Sequence, residues 1–560
     1  MVVTGGIPTF VAMKNILFAL LVITTALVNA QQLTVSPAQL NFGTVTEISP
    51  DSQQVTITNS TGYDITVTGY RFYTFYGSPA FSTTGGVFTV PPGGSQPIWI
   101  KFSPVHNIYH NSELFILNDG HRGALRVDLL GQGRYSKSYY ATTENLAEEV
   151  LKDTLHEILD RNFYTPGYSV ARDSMFMSYD NEKINGAGAA SNTIECVYTG
   201  RKAVGYTDRT DCQTNYSFNT EHTFPQNFFN SLEPMRADLY HLFPTDDLAN
   251  NARASLPFGT VSNPSWQQGG SKGNSTTFEP RDVHKGRTAR AMFYFVIRYQ
   301  NYNNFLTNQE GILRQWHEQF PPNTTEVTRG NKIFQLQNNR NPFIDYPQFI
   351  DRITTISNTS IGNVAASSDT PDDTINYSYV QAPGAAQYTY WIANDGNSPL
   401  TISGLTLNPN TALNFLNNTG TTATIQPGEA RAIEIELAMA PPGYFSGTLN
   451  YIAQGTGLLA NVSVPIKAQI SLTGLSEITN GNGYTIYPNP ATDRLCIDPF
   501  PVNGHLNIYD LQGRKIDGGN SVNSSCISVE DIRQPGTYLL EWTGPGGRTI
   551  RERWIKTADF

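Results

Sequence analysis

The stretch Phe218-Asn219-Thr220-Glu221-His222-Thr223-Phe224-Pro225 is followed, after a short gap, by Asp238-Leu239-Tyr240-His241-Leu242-Phe243-Pro244-Thr245-Asp246-Asp247-Leu248-Ala249-Asn250-Asn251-Ala252-Arg253. The first part reads as a strand that gives way to a loop before Pro225. In the second, Thr245 with Asp246 and Asp247 predicts a helix start with acidic first-turn residues, so Leu248 to Arg253 should be helical and Asn250 should lie about one turn in. Asparagine is mildly unfavourable inside a helix, and both Asn250 and Asn251 therefore call for a reason; solvent exposure supplies one for Asn251. An imidazole, several carboxylates, a carboxamide and a guanidinium in so short a span are the mixture that metal-assisted phosphodiester cleavage requires.

Adjacent residues of a strand face opposite ways, so Glu221 and His222 need a bend if both are to approach one phosphate. A lone Glu-His pair also fits a partly buried histidine bonded to a carboxylate. On either side the periodicity is helical. Leu146 to Leu159 places Val150, Leu151, Leu155 and Ile158 on one face, and Ala289 to Tyr299 places Met292, Phe293, Phe295 and Val296 on another. An α+β domain over 136–352 is expected, closing after Asn341-Pro342-Phe343-Ile344-Asp345-Tyr346-Pro347. The cationic run Arg281, Lys285, Arg287, Arg290 and Arg298 reads equally as a phosphate track or as an ordinary solvated face. Tyr206, Tyr216 and Tyr240 either stack on bases or pack in the core.

Residues 31–135 read as short alternating strands with turn punctuation, among them Val55-Thr56-Ile57-Thr58-Asn59 and Ile98-Trp99-Ile100-Lys101-Phe102 after Pro91-Pro92-Gly93-Gly94. That is a β-sandwich pattern. It recurs over 369–471, where Tyr390-Trp391-Ile392-Ala393-Asn394 and Thr424-Ile425-Gln426-Pro427-Gly428 before Ile433-Glu434-Ile435-Glu436-Leu437 repeat the layout. Neither sandwich gathers histidines and carboxylates, and a spacer or adhesive role is expected. His106, His110 and His121 are read as surface or loop histidines. A flexible linker, Asn480-Gly481-Asn482-Gly483, leads into a third small β-sandwich over 484–560.

A chain of 560 residues exceeds one hydrophobic core. With 15% charged residues, a formal charge of −10 and a pI near 5.4, it excludes a wholesale basic coat for nucleic acid; such binding must be local. Lys14 before the apolar run Ile16 to Val28, and the small residues of Val28-Asn29-Ala30, form an export signal over 1–30, with the mature chain starting near Gln31. No other run is long and apolar enough to span a bilayer. Cys196 and Cys212 flank one loop and Cys496 and Cys526 lie in the last domain, so two local disulfides are expected; their spacings supply no zinc site.

Two resemblances are specific. Phe218 to Arg253, with Phe258-Gly259, Phe278-Glu279-Pro280, Lys285-Gly286, Ala289-Arg290-Ala291 and Asn341-Pro342-Phe343, resembles the endonuclease I family of secreted ββα-metal nucleases. By position the resemblance implies Glu221 and Asn250 as ligands of Mg2+, or of another hard cation such as Mn2+ or Ca2+, and His222 as general base. The substrate implied is DNA and possibly RNA, cut with little sequence preference to 5′-phosphate products. Some members carry a phosphate-stabilising arginine between the motifs, a gap that is shorter here and holds only Arg236. Arg253, Lys285 and Arg290 are candidates for phosphate contacts, with a structural role equally open for Arg253, and His241 either orients the metal loop or is simply packed.

Tyr487-Pro488-Asn489-Pro490, Asp510-Leu511-Gln512-Gly513-Arg514 and Pro535-Gly536-Thr537-Tyr538 resemble the C-terminal sorting domain of the type IX secretion system. That implies passage through the periplasm of a Gram-negative bacterium to its outer surface or beyond, with the secretion machinery as partner; a monomer is expected. The two larger sandwiches are similar to immunoglobulin-like modules of the abnormal-spindle and hydin type. The alternative is a secreted adhesive or nucleic-acid-binding protein whose central domain is inactive. No His-Glu-x-x-His helix supports a zinc protease.

Overall fold

The computed structural model describes residues 33–472 and 485–557, apart from short gaps at 75–79, 121–122, 301–302, 363, 383–384, 418–421, 439, 488, 499–503, 523–525 and 544–548. The expected export signal, the glycine-asparagine linker, Pro488 and His121 lie outside the described residues.

The N-terminal region forms two sheets around one core. Leu33–Ser36, Asp51–Asn59, Ser95–Phe102 and Phe81–Thr83 make one sheet; Gln39–Thr46, Leu125–Arg134, Tyr109–Asn118, Ile65–Thr74 and Phe88–Val90 make the other. Strict alternation drives this, as in Ser95–Phe102, where Ile98, Ile100 and Phe102 are buried between exposed neighbours. His106 and His110 are a correction to the surface reading: both are buried, His110 with its ring against the edges of Phe81 and Phe102. Burial pushes the His106 imidazole down to about 3 and the His110 imidazole down to about 4.

The second repeat is also β. Ala386–Ala393 pairs with Ala430–Leu437, which pairs with Leu413–Phe415, while Leu400–Asn408 pairs with Ala423–Ile425 and with residues 448–455. It is docked against the first: Trp391 donates to the carbonyl of Ala124 at 3.2 Å, and the backbone N–H of Ala430 donates to Glu113 at 2.8 Å. The first region also fastens to the central one, with Tyr135 stacked on Tyr346 at 3.7 Å and Arg352 donating to Asn107 at 2.8 Å.

One hydrophobic core runs through the central region from Tyr135 to Ile356. In chain order its main elements are helix α1 (Glu148–Asp160), helix α2 (Tyr168–Ser174), strand β1 (Phe218–His222), strand β2 (Leu242–Asp246), helix α3 (Asp247–Arg253), helix α4 (Asp282–Tyr299) and helix α5 (Thr324–Gln337). Helix α1 buries Leu151, Leu155, Ile158 and Leu159, whereas Val150 faces solvent. Helix α4 is the central pillar, buried nearly all round from Thr288 to Arg298. Tyr206 and Tyr240 are core residues.

Residues 485–557 fall in a second compact unit. It contains a three-stranded sheet (Thr485–Tyr487, Arg494–Asp498, Cys526–Ser528) and a four-stranded one (Lys515–Val522, Gly504–Asp510, Gly536–Thr543, Thr549–Lys556). Cys496 and Cys526 are register partners and form a disulfide with their Cα atoms 4.0 Å apart. Among the described residues no helix is long and apolar enough to cross a membrane.

Candidate active site

Strands β1 and β2 pair antiparallel, Phe218 opposite Asp246 through His222 opposite Leu242, and helix α3 follows directly. The pairing holds Asp246 extended, so the helix starts one residue later than Thr245 would place it. Asp246 is the cap, its carboxylate accepting from the N–H of Ala249 at 2.8 Å. Thr199 and Arg201 hold the other oxygen of that carboxylate, at 2.7 and 3.5 Å.

Regular pairing through His222 leaves no bend in β1, so Glu221 and His222 enter different surroundings. The Glu221 carboxylate is buried; its Oε1 accepts from the hydroxyl of Tyr198 at 2.8 Å and lies 2.9 Å from Nε of Arg253. Burial raises the Glu221 carboxyl above the usual carboxylate range, against the pull of Arg253. Asn250 precedes Arg253 by three positions on α3, and residues so spaced are neighbours on one helix face. Since Arg253 reaches Glu221, the half-buried Asn250 lies one turn along on the side of β1, while Asn251 is exposed.

His222 is buried with its ring 5.5 Å from Tyr168 and 5.4 Å from His241. Its Nε2 lies 3.1 Å from the carbonyl oxygen of Arg236. A carbonyl only accepts, so His222 carries its proton on Nε2 and keeps a lone pair on Nδ1. Burial, and after it the neighbouring His241, hold the imidazole well below its usual range and therefore neutral. The loop that brings the Arg236 carbonyl into place is anchored by Asp238. That buried carboxylate accepts from Tyr294 at 2.8 Å, Tyr299 at 2.9 Å and Gln337 at 3.1 Å.

Several expected contacts take other forms. Arg253 is fully buried, ion-paired with Glu221, donating to the carbonyls of Thr223 and Ala254 at 2.7 and 3.0 Å, and stacked on Phe258. It supports the site from within and presents no guanidinium to a phosphate. Arg290 makes a bidentate pair with Glu326, both bonds 2.7 Å, and Lys285 pairs with Glu279 and Asp282. With Arg281 on Glu195, Arg298 on Asp160 and Arg287 4.0 Å from Glu326, each member of the cationic run has a carboxylate of this chain within reach. His241 is a packed histidine, donating from Nε2 to the carbonyl of Met235 at 2.7 Å beside Phe295.

The expected Cys196–Cys212 disulfide is absent: both thiols are free and buried. Cys196 Sγ accepts from the N–H groups of Thr199 and Asp246 at 3.4 and 3.3 Å, and Cys212 sits in the core on the helix Arg209–Asn215, its thiol pushed up to about 12 by burial. Sequence reading missed Tyr198, Tyr168 and Arg172, which stand outside the motif spacing. Arg236 packs its guanidinium 4.2 Å over the Tyr168 ring, and Arg172 lies 4.3 Å over the same ring.

A buried carboxylate and a neutral imidazole thus sit next to each other on β1, with the Asn250 carboxamide on the following helix. Residues 147–348 match the Endonuclease I family model, and residues 485–557 match the secretion system C-terminal sorting domain. The extracellular ribonuclease of Bacillus subtilis (strain 168) is 26% identical over 237 residues, 39% of this chain and 78% of that protein. An extracellular deoxyribonuclease of Aeromonas hydrophila is 29% identical over 117 residues, 20% of this chain and 50% of that protein. The chain carries an endonuclease I domain and a type IX sorting domain, which indicates secretion.

Proposed function

We propose that the protein is a secreted, sequence-nonspecific endonuclease that hydrolyses phosphodiester bonds of DNA, and of RNA as well, with a hard divalent cation, leaving 5′ phosphates. The two sheet regions flanking the nuclease are taken as immunoglobulin-like modules, and β1, β2 and α3 as the ββα unit. The observation that carries this reading is the state of His222: neutral, proton on Nε2, lone pair on Nδ1, one residue from a buried carboxylate.

The donor set fits a magnesium-like cation. Tyr198 and Arg253 both address Oε1 of Glu221, so Oε2 would meet a cation, and Asn250, one turn before Arg253 on α3, would supply a second hard oxygen. Such a cation, when bound, neutralises charge on the scissile phosphate and on the departing oxygen. Everything else falls to the chain. Arg253 and Tyr198 hold Glu221 in place. Glu221 and His222 leave β1 on opposite sides, Glu221 towards Tyr198 and Arg253 and His222 towards Tyr168 and His241. Nδ1 of His222 takes a proton from the attacking water while the Arg236 carbonyl keeps the ring oriented through Nε2.

Matched DNA and RNA strands incubated with the purified protein test this, with product ends mapped. Cleavage of both with phosphate on the 5′ end of the downstream fragment is expected. Binding without cleavage would leave only the reading as an inactive nucleic-acid-binding protein.

A further inference from the structure

Most arginines of the nuclease region have a carboxylate in reach. Arg201 has Asp246, Arg209 has Asp173, Arg290 has Glu326 and Arg329 has Asp180. Arg172 and Arg236 are different: neither forms an ion pair with a carboxylate among the described residues, and the Nε of each is buried with no hydrogen-bond partner. Yet the two guanidiniums are packed on one phenol ring, that of the half-buried Tyr168, at 4.3 and 4.2 Å. The acids nearby make their close contacts with other groups, although Asp173 also acts on Arg172 through space. Asp173 lies 2.7 Å from Nε of Arg209, and Glu233 accepts from the backbone N–H of Tyr168 at 3.1 Å. Burial lowers the Arg172 guanidinium below its usual range, the Tyr168 ring opposes this, and the neighbouring cations Arg209 and Arg236 lower it further.

Two like charges on one ring, with buried donors unmet, are a costly arrangement for the chain alone, and an anion between them relieves both the repulsion and the unmet donors. The ring that carries them lies 5.5 Å from His222, and Arg236 also supplies the carbonyl that orients it. We propose that Arg172 and Arg236, spread on Tyr168, form a guanidinium clamp that binds a backbone phosphate of the polynucleotide beside the bond being cut. Guanidinium forks match phosphate oxygens, and the phenol ring is a cation–π partner to both. The clamp rests on the nuclease reading and adds to it a substrate contact made by Arg172, from helix α2, upstream of the motifs.

The test is single-turnover cleavage of a short end-labelled DNA duplex by the full chain, measured against protein concentration at several salt concentrations. Arg172→Gln should raise the half-saturating concentration about tenfold. It should also flatten the slope of log affinity against log salt by about 0.9, the signature of one lost phosphate contact, and leave the limiting rate within a few-fold. Arg172→Lys keeps the charge without the fork, so the slope should persist while saturation weakens several-fold. Wild-type saturation and slope in Arg172→Gln would overturn the clamp and leave the nuclease reading standing. Should Arg172→Gln not fold, wild-type saturation in Arg172→Lys would overturn it equally. A wild-type protein that cuts neither DNA nor RNA removes the nuclease reading itself, and the clamp with it.

Discussion

Glu221 shows how much of a site is decided by one pair of neighbours. A buried carboxylate with no partner would protonate, and a protonated carboxyl is a poor oxygen donor to a cation. Arg253, itself fully buried, opposes the upward push of burial on the Glu221 carboxyl, and Tyr198 adds a hydrogen bond. Removing one member of a buried pair leaves the other uncompensated, a loss of about 3–5 kcal/mol. Arg253→Met should therefore destabilise the protein by that amount in chemical denaturation, and Glu221→Gln in the same background should restore part of it. Wild-type stability in Arg253→Met would show that the pair does not hold the site together. The residue type and its spacing were legible in the sequence; the direction in which Arg253 points was not, because a helix-terminal arginine serves a ligand or a carboxylate equally well until its neighbours are known. Arg290 and Lys285 were misjudged for the same reason, their partners Glu326 and Glu279 being set by packing.

At the scale of elements, strand alternation and helical spacing disclosed most of what forms. The β1, β2 and α3 unit follows from a strand that stops before Pro225 and an acidic helix start, and the error of one residue at the cap arises because pairing with Phe218 keeps Asp246 extended. Cysteine spacing misled, since loop length says nothing about which way two thiols face. The histidines misled too: His110 is the second residue of the strand Tyr109–Asn118, on the face that continues into Leu114 and Ile116, so its ring is drawn into the core. That burial has a measurable consequence. His110 and His317 are both pushed down to about 4 from an ordinary value of 6.5. Between those values the unfolded chain holds protons that the folded chain refuses, so stability falls as pH drops from 6.5 towards 4 and is fully present only above 6.5. Each histidine should contribute roughly 2 kcal/mol of loss by about pH 5. Denaturation of wild type and His110→Phe at neutral and acidic pH should show a smaller loss in the variant; equal slopes would contradict the burial of His110.

For the whole molecule, a nuclease domain lies in the chain between two β regions; the first is docked to it through Arg352 on Asn107, and the second is docked to the first through Trp391 on Ala124. The nuclease region and the sorting domain were readable in their ordered motifs, and family models match 147–348 and 485–557. The docking was not, since its contacts join residues hundreds of positions apart.

The central claim is that His222 moves the proton while Glu221 and Asn250 hold a cation. Single-turnover cleavage of plasmid DNA against magnesium concentration, for wild type, His222→Ala, Asn250→Ala and Asn251→Ala, tests it most directly. The account predicts that chelation abolishes cleavage and magnesium restores it. It predicts that His222→Ala lowers the limiting rate by about two to four orders of magnitude with metal affinity unchanged. Asn250→Ala should weaken metal affinity as well as rate, and Asn251→Ala should match wild type. Near wild-type cleavage by His222→Ala, full activity in excess chelator, or control of metal affinity by Asn251 and not Asn250 would contradict it.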